Sequence, residues 1–176
     1  MIGTLILPQY AFSTVYVIPV KSQIEPGWLL FFERSLTEAE ENKAQAIILD
    51  MNTPGGYIDT AIEAKNLISD FTAPVYVFVS DAALSAGAYL ALAADQFYMS
   101  PASTIGAAEP ILLGGGQVNE KTLSFWEAEM RTIAEKQGKD PDIAAAMVRK
   151  ELIITNMVKG GELLTLTSTE AERLRF

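Results

Sequence analysis

The sequence predicts one α/β domain, and three observations carry that prediction. Strand-like and helix-like segments alternate along the chain, the pattern that builds a mostly parallel sheet with crossover helices. One segment, AQAIILDMN at 44–52, is an apolar run of strand length, as expected of a central strand covered on both faces. The chain has 176 residues, enough for a single core that buries most of its apolar surface and too few to favour two.

The elements follow in order. TVYVIPV at 14–20 is β-branched and aromatic and reads as the first strand; Pro26 then opens an apolar-striped helix running to about Lys43. After the 44–52 strand, TPGG leads into a second helix. There Ile58, Ala61, Ile62, Ile68 and Phe71 recur at helical spacing, with Asp59, Glu63 and Asn66 turned outward. APVYVFVS at 73–80 is the third strand, LSAGAYLALAA the next helix and QFYMS at 96–100 a short strand. Beyond Pro101 the pattern loosens through TIGAAEPILLGGGQVN, whose glycines mark a loop free to hold more than one conformation. An amphipathic helix from about Lys121 to Gln137 follows, then a shorter one in PDIAAAMVRKE. The tail reads as strand then helix, with Thr167 and Glu170 spaced as a capping box. Residues 1–13 read as a leader or disordered remnant, and 14–176 as the folded domain.

Charge and composition exclude several functions. A net charge of −9 repels a phosphate backbone, so nucleic acid is not an expected partner. No run reaches the roughly 20 apolar residues that span a bilayer, so the fragment itself is expected to be soluble. The chain has no cysteine and no histidine, which removes disulfides, a thiol nucleophile and any Ser-His-Asp triad. No motif requires a cofactor or a metal.

Two stretches carry chemistry. In DAALSAGAYLALAAD, Ser85 stands at the start of an almost wholly apolar helix, where backbone N–H groups lack internal partners and the helix dipole favours negative charge. Ala86 and Gly87 leave the hydroxyl and the Ala86 N–H approachable by a substrate carbonyl, which suits an acyl-transfer nucleophile. The same serine also fits a plain N-cap. In LDMNTPGGYIDTA, Gly55 and Gly56 fall at the carboxyl end of a buried strand, where open α/β sheets bind ligands. A tight strand-to-helix turn accounts for them equally well.

NTPGG, SAGAYLALAAD and MSPASTIGAAEPI, in this order and spacing, resemble the ClpP/crotonase-fold serine proteases. The resemblance is greatest to the NfeD group of membrane-associated proteases, relatives of signal peptide peptidase A, and runs from about Val15 to Leu174. It implies a spiral of β-β-α units, with Ser85 as nucleophile, Gly56 and Ala86 as oxyanion donors and Gly55 shaping the loop. It places the base on Lys121, in VNEKTLSFW after the glycine loop, which makes a Ser-Lys dyad. Because ClpP uses a histidine, the likeness to ClpP is one of fold and oxyanion geometry.

A lysine serves as base only when an apolar pocket disfavours its charged form, and Ile111, Leu112, Leu113 and Leu123 lie close to Lys121 in sequence. A solvated surface lysine is the ordinary alternative. Glu120 would hold the amine charged unless it points away. Lys43, Lys65, Lys136, Lys139, Lys150 and Lys159 look solvated.

STIGAAEPI is expected to line the groove as an extended edge for a peptide strand, favouring small or aliphatic side chains. The resemblance implies a hydrophobic, membrane-proximal segment of a stomatin-like protein as substrate, with membrane association through regions outside this chain and the domain on the extracytoplasmic side. Trp28, Leu29, Phe31 and Phe32 crowd one early helix and suggest a homo-oligomer, although a helix sandwiched in the fold would show the same run. Two other readings stand beside the protease: a catalytically silent assembly module, and a crotonase-type acyl-CoA enzyme, which the acidic balance disfavours.

Overall fold

The computed structural model describes residues 14–155 and 157–176, so the leader expected at 1–13 lies outside the described residues. The elements are β1 (Val15–Val20), α1 (Pro26–Glu41), β2 (Ala46–Thr53), α2 (Ile58–Asp70), β3 (Val75–Leu84) and α3 (Ala86–Ala93). They continue as β4 (Gln96–Met99), β5 (Thr104–Gly106), α4 (Glu120–Lys136), α5 (Pro141–Ala146), β6 (Thr165–Thr167) and α6 (Ser168–Leu174). One sheet runs in the order β1-β2-β3-β5-β6, with β4 also paired to β3. All pairs are parallel except β5 with β6. β3 feeds two neighbours in succession: Tyr76–Val79 pair with β4, and Ala82–Leu84 pair with β5.

The path β1-α1-β2-α2-β3-α3-β4 steps across the sheet in one direction. Right-handed crossovers taken in one direction place every helix on the same face. That face holds the core, with Ile47, Leu49 and Met51 of β2 and Val75, Val77 and Val79 of β3 fully buried. The expectation that the 44–52 strand is covered on both faces is therefore corrected. Among the described residues nothing covers the opposite face of the sheet, which displays Val17, Ile48, Tyr76, Phe78 and Tyr98.

The helix run Trp28–Phe32 divides between inside and outside. Trp28, Leu29 and Phe32 are buried, while Leu30 and Phe31 are exposed. α3 is apolar all round because it is enclosed by β3, α2 and α4. In the tail, the Thr167 side chain accepts from the Glu170 N–H while Glu170 accepts from the Thr167 N–H, so the capping box forms as its spacing predicts.

The segment 101–119 is more ordered than its composition suggests. Thr104–Gly106 form a short strand between β3 and β6, so both of its edges are occupied. This corrects the expectation that STIGAAEPI offers a free edge at that point. The glycine loop is a small hairpin, in which Ile111 bridges Gln117 and the Leu112 N–H donates to the Gly116 carbonyl.

Candidate active site

Ser85 links the end of β3 to the start of α3, and its backbone has φ 55° and ψ −123°. A positive φ is sparsely populated for a residue with a Cβ and costs about 1–3 kcal/mol, so it persists only where the surroundings impose it. Here the Ser85 N–H donates to the Gly106 carbonyl at 2.9 Å, and the Ser85 carbonyl accepts from the Ala88 N–H at 2.9 Å. The side chain makes no helix-capping bond, which removes the plain N-cap reading. A strained strand-to-helix turn is the geometry in which α/β hydrolases present a nucleophilic serine.

The glycine pair lies against this turn. A Cβ on Gly55, whose φ is 104°, would fall 2.5 Å from the Ser85 Cβ and 2.8 Å from the Leu84 carbonyl oxygen. A Cβ on Gly56 would overlap the Ile24 carbonyl. The loop is fixed from both sides: the Gly55 N–H donates to Thr53 Oγ1 at 3.1 Å, the Ile24 N–H donates to the Gly55 carbonyl at 2.8 Å, and the Tyr57 N–H donates to the Ile24 carbonyl at 2.9 Å. The Gly56 and Ala86 N–H groups have no acceptor among the described residues. Ser85, Gly55 and Gly56 line one cavity of about 430 Å³, whose wall also includes Ile58, Leu113, Val118 and Trp126.

Lys121 is not brought to this cavity. It stands on the exposed first turn of α4, which Asn119 caps by accepting from the Thr122 N–H at 3.0 Å. Ile111, Leu112 and Leu113 are 69%, 54% and 83% exposed, so they line the cavity mouth and do not enclose the amine. The Glu120 carboxylate pairs with Arg149 at 2.6 Å, and Arg149 also holds Glu127 at 2.5 Å. These bonds from the Arg149 guanidinium hold the Glu120 carboxyl below the usual carboxylate range.

Other lysines sort by their contacts. Lys150 pairs with Glu109 at 3.3 Å, and Glu109 reaches the cavity wall. Lys139 is half-buried, and desolvation pushes its ammonium down. It donates to the Arg175 carbonyl and lies over Phe97, facing a separate cavity in which no serine lies among the described residues. Lys21 donates to Ser80 Oγ at 2.7 Å, a serine–lysine contact that no sequence spacing signals. That amine also sits 2.5 Å from Asp50, and Ser80 donates to the Met51 carbonyl, so the pair is a structural tie on the open sheet face.

Tyr89 is a further residue that sequence reading missed. It is fully buried on α3, its ring packs against Trp126 at 4.6 Å, and its hydroxyl donates to Glu129 at 2.6 Å. Burial, with the Glu129 carboxylate, pushes the hydroxyl well above the ordinary tyrosine range. These contacts cross 37 and 40 residues of chain, so local periodicity carries no sign of them.

No helix among the described residues is long and apolar enough to cross a membrane. Comparison with known proteins matches residues 14–176 to the family described as NfeD1b, N-terminal domain. The membrane protein NfeD1b of Bacillus subtilis is 42% identical over 160 residues, which cover 90% of this chain and 37% of that protein. The membrane-bound protease PH1510 of Pyrococcus horikoshii is 33% identical over 156 residues, covering 84% of this chain and 35% of that protein. The chain thus spans little more than a third of the length of these relatives.

Among solved structures, the 1510-N membrane-bound stomatin-specific protease has been determined as a serine-to-alanine variant that superposes with a TM-score of 0.80 at 30% identity, over 93% of this chain and 77% of that one. A lysine-to-alanine variant of the same protease, in complex with a substrate peptide, superposes with a TM-score of 0.81 at 30% identity, over 93% of this chain and 73% of that one. ClpP1 from Listeria monocytogenes shares the fold, with a TM-score of 0.70 at 17% identity over 90% of this chain and 86% of that one. Fold, matched length and sequence identity agree: the chain belongs to the NfeD1b N-terminal domain family and has the ClpP fold.

Proposed function

We propose that this domain is a serine endopeptidase in which Ser85 is the nucleophile and Lys121 its base. The observation that carries the reading is Ser85 itself, held at φ 55° on a cavity wall, with the unpaired Gly56 and Ala86 N–H groups beside it. In the proposed reaction Ser85 Oγ attacks the scissile carbonyl carbon and its proton passes to Lys121 Nζ. The two N–H groups take the oxyanion, and collapse of the intermediate expels the amine, which receives the proton from Lys121. Water, deprotonated by the same lysine, then releases the acyl group from Ser85. Relatives of known protease activity, studied as serine and lysine variants, support this assignment.

The exposed position of Lys121 belongs to a resting state of this mechanism. Completing the dyad requires residues 111–120 to rearrange and carry the first turn of α4 toward Ser85. The apolar lining of Ile58, Leu113, Val118 and Trp126 suits a hydrophobic peptide, and a membrane-proximal segment of a stomatin-like protein is the proposed substrate. Membrane association would come from regions beyond this fragment, with the domain extracytoplasmic. Assembly into a dimer or larger homo-oligomer is proposed to use exposed Leu30 and Phe31 together with α4.

The exposed lysine also favours one competing reading, a silent module that keeps the scaffold without catalysis. A fluorophosphonate probe separates the two. Covalent labelling of the full chain that Ser85→Ala abolishes supports the protease, and an unlabelled Ser85 in the presence of hydrophobic peptide supports the silent module.

A further inference from the structure

The helix that begins at Ser85 and the helix that carries Lys121 are tied at two places: at their far ends, where Gln137 Nε2 donates to the Ala94 carbonyl at 2.7 Å, and near the cavity, at Tyr89. It lies one turn into α3, with its N–H donating to the Ser85 carbonyl at 3.3 Å. Its ring packs on Trp126, and its hydroxyl reaches Glu129 at 2.6 Å. Positions 126 and 129 are three apart and share one face of α4, so Tyr89 grips that helix at two points. Trp126 is tied in turn, because its indole N–H donates to the Ala108 carbonyl at 2.9 Å.

A phenylalanine would fill the same apolar space, whereas a buried hydroxyl is costly unless it is hydrogen-bonded. The bond to a carboxylate is of the strong, charge-assisted kind and is directional. The Gln137–Ala94 bond holds the far ends of the two helices together, and near the cavity the hydroxyl–carboxylate bond adds a directional contact to the ring stack. Glu129 is steadied from a third element, lying 4.0 Å from Lys65 Nζ on α2.

We infer that Tyr89 is a positioning residue for the proposed reaction, acting through Glu129 and Trp126 to set α4 against α3. It thereby fixes where the Lys121 amine stands when it takes the Ser85 proton. The inference rests on the Ser85–Lys121 reading and adds to it a fixed pivot. Residues 111–120 move, and α4 from Trp126 onward does not.

The test is steady-state hydrolysis of a hydrophobic fluorogenic peptide by the full chain across a pH series, with thermal melting run alongside. Misplacement by a fraction of an ångström is enough for Tyr89→Phe to lower kcat about tenfold. KM is expected to stay within about twofold, since the cavity wall is intact. The acid limb of the kcat profile should also move, a change that loss of stability alone does not produce. Glu129→Gln, whose amide oxygen accepts the same bond, should keep kcat within about threefold, while Glu129→Ala should match Tyr89→Phe.

Wild-type kcat and an unmoved pH profile in Tyr89→Phe would overturn the inference. So would a loss in Glu129→Gln as large as in Glu129→Ala. Ser85→Ala separates the two levels: if it stays active, the dyad reading itself has failed. If it is inactive while Tyr89→Phe is unaffected, only the pivot has failed.

Discussion

On one wall of the cavity, Gly55 lies so near Ser85 that a single added methyl group would collide with it. Gly114 and Gly115, which also line the cavity, have nothing within 4 Å of where a Cβ would stand. The proposed nucleophile half is thus held by close packing and by hydrogen bonds with Ile24, Thr53 and Gly106, residues remote from one another in sequence. The base half hangs on a short hairpin and a helix turn that faces solvent. The contrast teaches where each part of the proposed mechanism gets its precision. In that mechanism the oxyanion donors are preorganised, and the proton transfer depends on movement.

The largest effect expected from breaking that contrast is chemical. Ser85→Ala and Lys121→Ala should each lower peptide hydrolysis by more than about a thousandfold, with the melting temperature little changed, as judged by initial rates and circular dichroism. Because a lysine base works only as the free amine, the wild-type rate should rise with pH to an alkaline plateau; a rate falling between pH 6 and pH 8 in folded protein would contradict this.

The same substitution placed in the two halves sharpens the comparison. Gly55→Ala should destabilise the fold by about 2–3 kcal/mol in urea titration, from the clash and the positive φ together, and should abolish fluorophosphonate labelling. Gly115→Ala, at φ 92°, meets only the backbone penalty and should cost about 1–2 kcal/mol, with no steric clash added.

Smaller effects come from the supports. Thr167→Ala removes one half of the capping box beside β6 and should cost about 1 kcal/mol, read from chemical denaturation, with kcat unchanged. The bonds from Thr167 hold the Glu170 carboxyl low in the folded state, so its contribution is present above the usual carboxylate range and lost as pH falls through it. The Arg149–Glu120 pair follows the same sign. Its loss on acidification should speed hydrogen exchange in the first turn of α4 more than in α3, an outcome readable by mass spectrometry.

Much of the nucleophile half is legible in sequence because its signals are local. Strand, glycine pair and helix follow one another within residues 46–70, and Ser85 stands between an apolar strand and an apolar helix. What local pattern does not carry is the conformation of Ser85, which is imposed by Gly106 across the sheet. The strand at Thr104–Gly106 escapes notice for a related reason: three residues are too few for a period, and their partners lie at 82–84 and 165–167. The open sheet face contradicts the both-faces expectation because an apolar run reports what a strand avoids, and the covering layer is set by crossover direction. Neighbours in sequence suggest an apolar environment for Lys121, but Leu113 lines the cavity on the hairpin while Lys121 stands exposed on α4.

The tie between Ser85 and Gly106 also bears on the order in which the domain is made. Gly106 is held by Thr165 of β6, and the Ala107 N–H donates to the Leu164 carbonyl. The turn at Ser85 is therefore completed by residues some 80 positions further along the chain. Chains fold as they emerge, amino end first, and pairings of long sequence separation close late. A ribosome-bound chain that has delivered Ser85 but not Thr165–Thr167 carries the hydroxyl without the backbone turn that presents it. Synthesis itself delays the turn that presents the proposed nucleophile until nearly the whole domain is present.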